Sequence, residues 1–255
     1  MRADALSGRR AIITGASRGI GAAIAARLAE AGVRTVLIGR DANALRQQSA
    51  RISNSQTAIC DVTDAAQVEQ TFSELLAREP VDILINNAGA AESAPFMKTS
   101  DAVLERMLSV NVGSAFRCSR AVLPGMLARE AGRIVNVSSI AGLRGYPYVT
   151  AYVAAKHALV GFTRALAMEV VHKGITVNAV CPGYTDTDLV RDAAAAISAK
   201  TGRGEAEVVG EMIRTNPQGR LIRPAEVAET VAWLCGPETD SITGQAIPIA
   251  GGEIM

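Results

Sequence analysis

Residues 11–21 read Ala-Ile-Ile-Thr-Gly-Ala-Ser-Arg-Gly-Ile-Gly, and an alanine-rich helical pattern follows over 19–31. A short apolar strand that runs through a glycine-rich turn into a helix is the opening of a dinucleotide-binding βαβ unit. Glycines there let the backbone turn sharply and approach a pyrophosphate at the helix N-terminus. The spacing is not the usual G-x-G-x-x-G, since the glycines fall at 15, 19 and 21. The physical requirement is the same. Gly15, Ser17, Arg18, Gly19, Ile20 and Gly21 are therefore candidate cofactor-binding residues.

Outward from this turn, strand and helix patterns alternate to the end of the chain. Apolar runs at 11–14, 35–38, 57–59, 82–85, 133–137, 175–180 and 245–249 read as strands. Helical patterns separate them at 19–31, 41–52, 64–78, 100–129, 151–172 and 224–235. Such alternation predicts an α/β fold: a Rossmann-like, doubly wound sheet with helices on both faces. Pro224 and Gly236 bracket the last helix in the usual order. Pro248 would interrupt a central ladder, so the last strand is expected at an edge. No linker or repeat divides residues 1–255, and a single dinucleotide-binding and catalytic domain is expected. Segment 184–216 lacks a strand pattern and follows a strand's C-terminal end, where open α/β sheets carry ligand-covering loops. It is read as a substrate lid.

Composition narrows the function. The 255 residues are 49% hydrophobic and 20% charged, with a formal net charge of +1. Nucleic acid and anionic membranes are not expected as partners. No apolar run approaches a membrane span. The opening MRADALSG is too polar and short for a secretory signal, and a cytoplasmic location is expected. Cys60, Cys118, Cys181 and Cys235 form no C-x-x-C pair, which suits buried, reduced thiols. With only His157 and His172, neither a Ser-His-Asp hydrolase nor a histidine metal site is attractive, and no metal is expected.

Tyr152 and Lys156 lie four residues apart, on one face of a helical stretch and one turn from each other. A free tyrosine, with a pKa of about 10, is a poor proton carrier at neutral pH. A cation beside it favours the phenolate and is expected to lower that value. At the end of the second strand, where an acidic residue would bind the ribose hydroxyls of NAD, the chain has Gly39 and then Arg40. Arg40 and Arg18 together suit a 2′-phosphate, so NADP is the expected cofactor, with NAD the alternative. Asp41 beside Arg40 could dilute that preference.

Thr14-Gly-x-x-x-Gly-Ile-Gly21, Asn86-Asn87-Ala88-Gly89, Asn111, Ser139, Tyr152-x-x-x-Lys156 and Pro182-Gly183, in this order, resemble the compact, single-domain branch of the short-chain dehydrogenases/reductases. The likeness runs from about residue 8 to 252. It implies seven parallel strands, with cofactor and substrate at their C-terminal ends. Tyr152 would be the acid that protonates a carbonyl oxygen, or the base in the reverse direction. Ser139, rather than Ser138, would hydrogen-bond the same oxygen. Lys156 would bind the nicotinamide ribose and depress the Tyr152 pKa, and Asn111 would hold a water linking Lys156 to solvent. The resemblance also places Asp61 and Val62 by the adenine, Asn87, Ala88 and Gly89 along the adenosine ribose, and Pro182, Gly183, Thr185 and Thr187 by the nicotinamide. Asp61 and Asp64 could equally cap the helix starting near 64.

The candidate substrate lining comprises Phe96, Leu143, Arg144, Tyr146, Tyr148, Tyr184 and Leu189, a mostly apolar set. Similarity is strongest to NADPH-dependent 3-oxoacyl thioester reductases, with NAD-dependent 3-hydroxybutyrate-like dehydrogenases as the alternative. The expected substrate is a small-molecule carbonyl or alcohol, an acyl thioester above all. Arg129, Arg133 and Lys173 are loose candidates for a basic patch toward an acidic carrier. A small-residue stripe (Ala151, Ala154, Ala155, Ala158, Gly161, Ala165) and the 100–129 helix are implied to build a homotetramer. A catalytically silent nucleotide-binding regulator would ordinarily lack the tyrosine or the lysine, and both are here.

Overall fold

The computed structural model describes residues 6–254. Seven strands form one parallel sheet: β1 (Arg10–Thr14), β2 (Arg34–Gly39), β3 (Ser55–Ile59), β4 (Ile83–Asn86), β5 (Gly132–Val137), β6 (Ile175–Pro182) and β7 (Ala246–Ile249). Their order is β3-β2-β1-β4-β5-β6-β7. Pro248 sits in β7 at the edge, as its missing N–H requires. β3 begins two residues before the apolar run: Ser55 and Gln56 pair with Thr35 and Val36, and the polar start is tolerated because β3 is the other edge.

Successive residues of the central strands feed opposite faces. Ile13, Ile83, Ile85 and Val135 pack under α1 (Gly19–Glu30), α2 (Ala42–Ser49) and α9 (Pro224–Leu234). Ile12, Leu84, Ile134 and Val177 pack under α3 (Ala65–Arg78), α5 (Ser114–Arg129) and α6 (Thr150–Val170). Burial on both sides explains why these strands are continuously apolar rather than alternating. The order reverses between β1 and β4, which opens a crevice at their C-terminal ends.

One helical expectation is refined. The 100–129 stretch is α4 (Asp101–Leu108), a π-turn over Ser109–Gly113, and α5. Asn111 lies in that turn, 1% exposed. A π-turn inserts one residue into the helical repeat and re-aims side chains, and it is common at functional sites. The 184–216 segment forms two helices, α7 (Asp188–Thr201) and α8 (Glu205–Arg214), with a separate apolar cluster of Val190, Ala194, Val208 and Met212. No helix of the described residues is long and apolar enough to cross a membrane.

Candidate active site

The loops after β1 and β4 are fastened together. Thr14 Oγ1 accepts from the backbone N–H groups of Asn87 and Ala88, both at 3.0 Å. Asn87 Nδ2 in turn donates to the carbonyls of Thr14 (2.9 Å) and Gly15 (3.0 Å). Asn87 is thus spent on shaping the glycine turn, and Thr14, not among the candidate site residues, is its partner. Gly15 and Gly19 have φ of +63° and +58°. A Cβ on Gly21 would stand 2.4 Å from both Asn87 Nδ2 and the Gly15 oxygen, so no larger residue fits. Ser17 and Ile20 complete the turn, and Ile20 leans on the core. The first turn of α1 has no side-chain cap, which leaves its N–H groups and the positive end of the helix dipole for an anion. This glycine cradle fits a dinucleotide pyrophosphate.

Thr187 is buried at the start of α7, and its methyl lies 3.3 Å from the Cβ position of Gly19. Its hydroxyl donates to the Thr185 carbonyl (3.2 Å), and Thr185 donates to Gly183 (3.0 Å), next to Pro182 at the end of β6. The segment entering α7 therefore borders the cradle.

On the adenosine side, Asp41 accepts from Asn43 N and Ala44 N and caps α2, so its charge serves the helix. Arg40 is 79% exposed and 3.7 Å from Asp61. Asp61 accepts from the Thr63 N–H (2.9 Å) and hydroxyl (2.7 Å), and these bonds hold its carboxyl below its ordinary pKa. Asp64, not Asp61, caps α3. Val62 is buried beside them. Arg18 faces Asp188 of α7 at 3.8 Å. Both pairs are exposed and weak, worth well under about 1 kcal/mol each, so neither removes its arginine from reach of a phosphate dianion.

Tyr152, Lys156 and Ser139 meet at the C-terminal ends of β5 and β6. Lys156 Nζ lies over the Tyr152 ring, 5.6 Å from its centroid, and donates to the Val137 carbonyl at 3.0 Å. Ser139 is the hydroxyl bonded to the Tyr152 phenol, and it also accepts from Ala141 N. Ser138 instead donates to the Lys156 carbonyl (3.2 Å) and ties β5 to α6. Asn111 donates to the carbonyls of Ala90 (2.9 Å) and Met107 (3.0 Å). Its Oδ1 and Lys156 Nζ both lie within 3.5 Å of the space that a side chain on Gly89 would fill, so Gly89 keeps the two facing each other.

The expected depression of the tyrosine pKa is not what this geometry gives. Burial pushes the Tyr152 phenol up to about 12, against the opposing Ser139 bond. Burial also pushes Lys156 down to about 8. Desolvation disfavours each charged form, and the ammonium is bonded to a carbonyl rather than to the phenol.

The substrate candidates divide. Tyr184 packs on the α7–α8 cluster, and its phenol lies within electrostatic reach of Tyr152. Leu143 turns inward against the cluster of Val160, Ala179 and Cys181. Phe96, Tyr148 and Leu189 stay on the outside, 71%, 62% and 47% exposed. Arg144 stacks on the Tyr146 ring, 4.7 Å from its centroid. Glu253 was missed: its side chain is 3% exposed and accepts from Tyr146 Oη at 2.7 Å. The basic patch does not form, because Arg129, Arg133 and Lys173 face Asp82, Asp240 and Glu130 respectively. The small-residue stripe is really two faces, with Ala151 and Ala155 buried and Ala154, Ala158, Gly161 and Ala165 exposed. All four cysteines are free and buried. Among the described residues no group of three or more His, Cys, Asp or Glu is placed to hold a metal.

Comparison with known proteins agrees with this arrangement. The profile of the short chain dehydrogenase family matches residues 9–198. The 3-oxoacyl-acyl-carrier-protein reductase FabG of Escherichia coli (strain K12) is 36% identical over 250 residues, covering 97% of this chain and 98% of the relative. That of Vibrio harveyi is 35% identical over 252 residues, covering 98% and 99%. Among solved structures, an actinorhodin polyketide ketoreductase variant with NADPH superposes with a TM-score of 0.92 at 34% identity, covering 98% of each chain. Levodione reductase superposes with a TM-score of 0.92 at 30% identity, covering 97% of this chain and 98% of that one. A glycine cradle at the sheet's switch point, beside a Ser-Tyr-Lys cluster and within a likeness that spans the chain, places this protein in the short-chain dehydrogenase/reductase family, as an oxidoreductase acting on ketones or alcohols.

Proposed function

We propose that this chain reduces 3-oxoacyl thioesters with NADPH, as a cytoplasmic homotetramer. The observation that carries the reading is the grouping of Tyr152, Ser139 and Lys156 beside the glycine cradle. The full-length likeness to 3-oxoacyl reductases supports the substrate class. Arg40 and Arg18 support NADP, and the exposed Ala154–Ala165 face, with half-exposed Leu104, Leu108 and Phe116, supports assembly.

Bound NADPH would supply the hydride. Tyr152 donates its phenolic proton to the carbonyl oxygen, while Ser139 donates a hydrogen bond to the same oxygen and fixes its position. The Lys156 ammonium, held by Val137, stabilises the phenolate left behind. Asn111, across from Lys156, holds the path by which a proton returns. Pro182, Gly183, Thr185 and Thr187 border the nicotinamide end, and Asp61 and Val62 the adenine end.

The decisive assay sets acetoacetyl-CoA, acetoacetate and a simple ketone against NADPH and NADH separately. Fast thioester reduction with NADPH is expected, and refusal of thioesters would end the substrate reading. Arg40→Asp, a charge change of two units, should move the NADP/NAD preference by about tenfold or more toward NAD, with tenfold corresponding to roughly 1.4 kcal/mol. An unchanged ratio would remove Arg40 from cofactor choice.

The pH profile of reduction tests the acid–base assignment. As pH rises from neutral, Lys156 loses its proton first, at about 8, while Tyr152 holds its proton to about 12. Deprotonation removes the positive charge that stabilises the phenolate, so kcat/KM should be flat through neutral pH and fall above about 8. Lys156→Arg keeps its charge at all accessible pH and should move that limb upward. A limb that stays in place in this variant would assign it to another group.

A further inference from the structure

Glu253 brings a buried carboxylate against two of the candidate substrate residues, Arg144 and Tyr146. Its Oε1 accepts from Tyr146 Oη at 2.7 Å and its Oε2 from Thr215 Oγ1 at 3.2 Å. Arg144 NH2 stands 4.0 Å from Oε1, and NH1 donates to the Glu253 backbone carbonyl at 3.4 Å. Three separate segments thus meet on one side chain: the loop before α6, the end of α8, and the residues after β7. Tyr184 lies beside this cluster: Gly183 before it donates its N–H to the Ile249 carbonyl at 3.0 Å, and the Gly183 Cβ position is 3.4 Å from Ala250 on the way to Glu253. The Tyr184 phenol is within electrostatic reach of Tyr152 and of Glu253 and Arg144, and burial raises its pKa.

The charges balance. Arg144 is the one cation among the candidate lining residues, and Glu253 is its partner at 4.0 Å; unlike the acids facing Arg18 and Arg40, this carboxylate is only 3% exposed, so water screens the pair less. A carboxylate-bearing substrate would find its only counter-ion matched and a second, buried anion alongside. A neutral acyl end would meet aromatic rings and hydroxyls instead. Repulsion of the wrong ligand gives selectivity as effectively as attraction of the right one.

We infer that Glu253 is a specificity-determining residue: by matching Arg144 inside the substrate pocket, it selects uncharged 3-oxo esters and thioesters and rejects free 3-oxo acids. The inference rests on the reduction site proposed above and deepens it.

The test compares a matched pair, ethyl acetoacetate and acetoacetate, with NADPH. The measured quantity is the ratio of their kcat/KM values, ester over acid, in wild type, Glu253→Gln and Arg144→Met. Wild type has a balanced pair, Glu253→Gln a free cation, and Arg144→Met a free anion. The ratio should exceed one in wild type, fall by about tenfold or more in Glu253→Gln, and rise in Arg144→Met. Glu253→Gln is isosteric and retains an acceptor for Tyr146, and Arg144→Met provides an independent change of opposite sign. Calorimetric binding of 3-hydroxybutyrate and its ethyl ester to the NADP-loaded enzyme should give the same order without turnover. A Glu253→Gln ratio within about threefold of wild type, or a wild type that favours the acid, would overturn the inference. The two readings separate: thioester reduction with an unchanged ratio sinks only the role of Glu253. Refusal of acetoacetyl-CoA with the ordered ratios intact sinks only the thioester reading.

Discussion

Tyr152→Phe should lower kcat for ketone reduction by about 10²–10⁴-fold, the usual contribution of a positioned general acid. The change removes one oxygen from a partly buried ring and leaves the glycine cradle untouched, so the NADPH dissociation constant should stay at its wild-type value. Loss of one neutral hydrogen bond, to Ser139, costs about 1 kcal/mol, and the melting temperature should move by only a few degrees. The alternative donors are poor: Ser139 has a far weaker acid function, and Lys156 is tied to the Val137 carbonyl 3.0 Å away. Stopped-flow reduction and cofactor fluorescence titration on the same preparation separate chemistry from binding. Turnover near wild type would remove Tyr152 from the reaction and reopen the reading of the chain as a nucleotide-binding regulator.

The other large effect is expected from Gly21→Ala. In an ordinary helix the change is favourable by about 1 kcal/mol, because alanine has the better helix propensity. Here the added methyl carbon would stand 2.4 Å from the Gly15 carbonyl oxygen and equally close to Asn87 Nδ2. Those two atoms are themselves hydrogen-bonded at 3.0 Å. Relief requires the glycine turn to swing away from α1 or Asn87 to release it, and overpacking of this kind costs about 1–3 kcal/mol. Steric cost outweighs propensity. The melting temperature should fall, and NADPH affinity should drop by about 100-fold, because the displaced atoms belong to the turn that shapes the pyrophosphate cradle. Calorimetry reads both. An NADPH dissociation constant within about threefold of wild type would show that the turn tolerates the methyl and that its shape is not the basis of binding.

Legibility followed distance along the chain. The seven strands were readable because each is a short apolar run, and burial on both sheet faces keeps such runs continuous. β3 was found short, since its first residues, Ser55 and Gln56, sit on an exposed edge where nothing selects for apolar side chains. The break at Asn111 was invisible, because one extra residue in a helix leaves the apolar pattern on either side almost unchanged. Asn87 was read as a cofactor residue from its motif, whereas the contacts it makes lie seventy-odd positions back, on Thr14 and Gly15. Glu253 had no local signal at all, since its partner Tyr146 is 107 residues away.

The amino-acid order by itself determined the doubly wound sheet, the glycine turn, and the spacing that puts Tyr152 and Lys156 one helical turn apart, because each depends on neighbours within a few residues. Only the tertiary structure decided the protonation behaviour of those two groups. Burial raises one pKa and lowers the other, and burial is a property of packing between elements that no local spacing encodes. The same holds for Arg144: along the chain it is only a candidate substrate residue, and it becomes half of an ion pair once Glu253 folds against it.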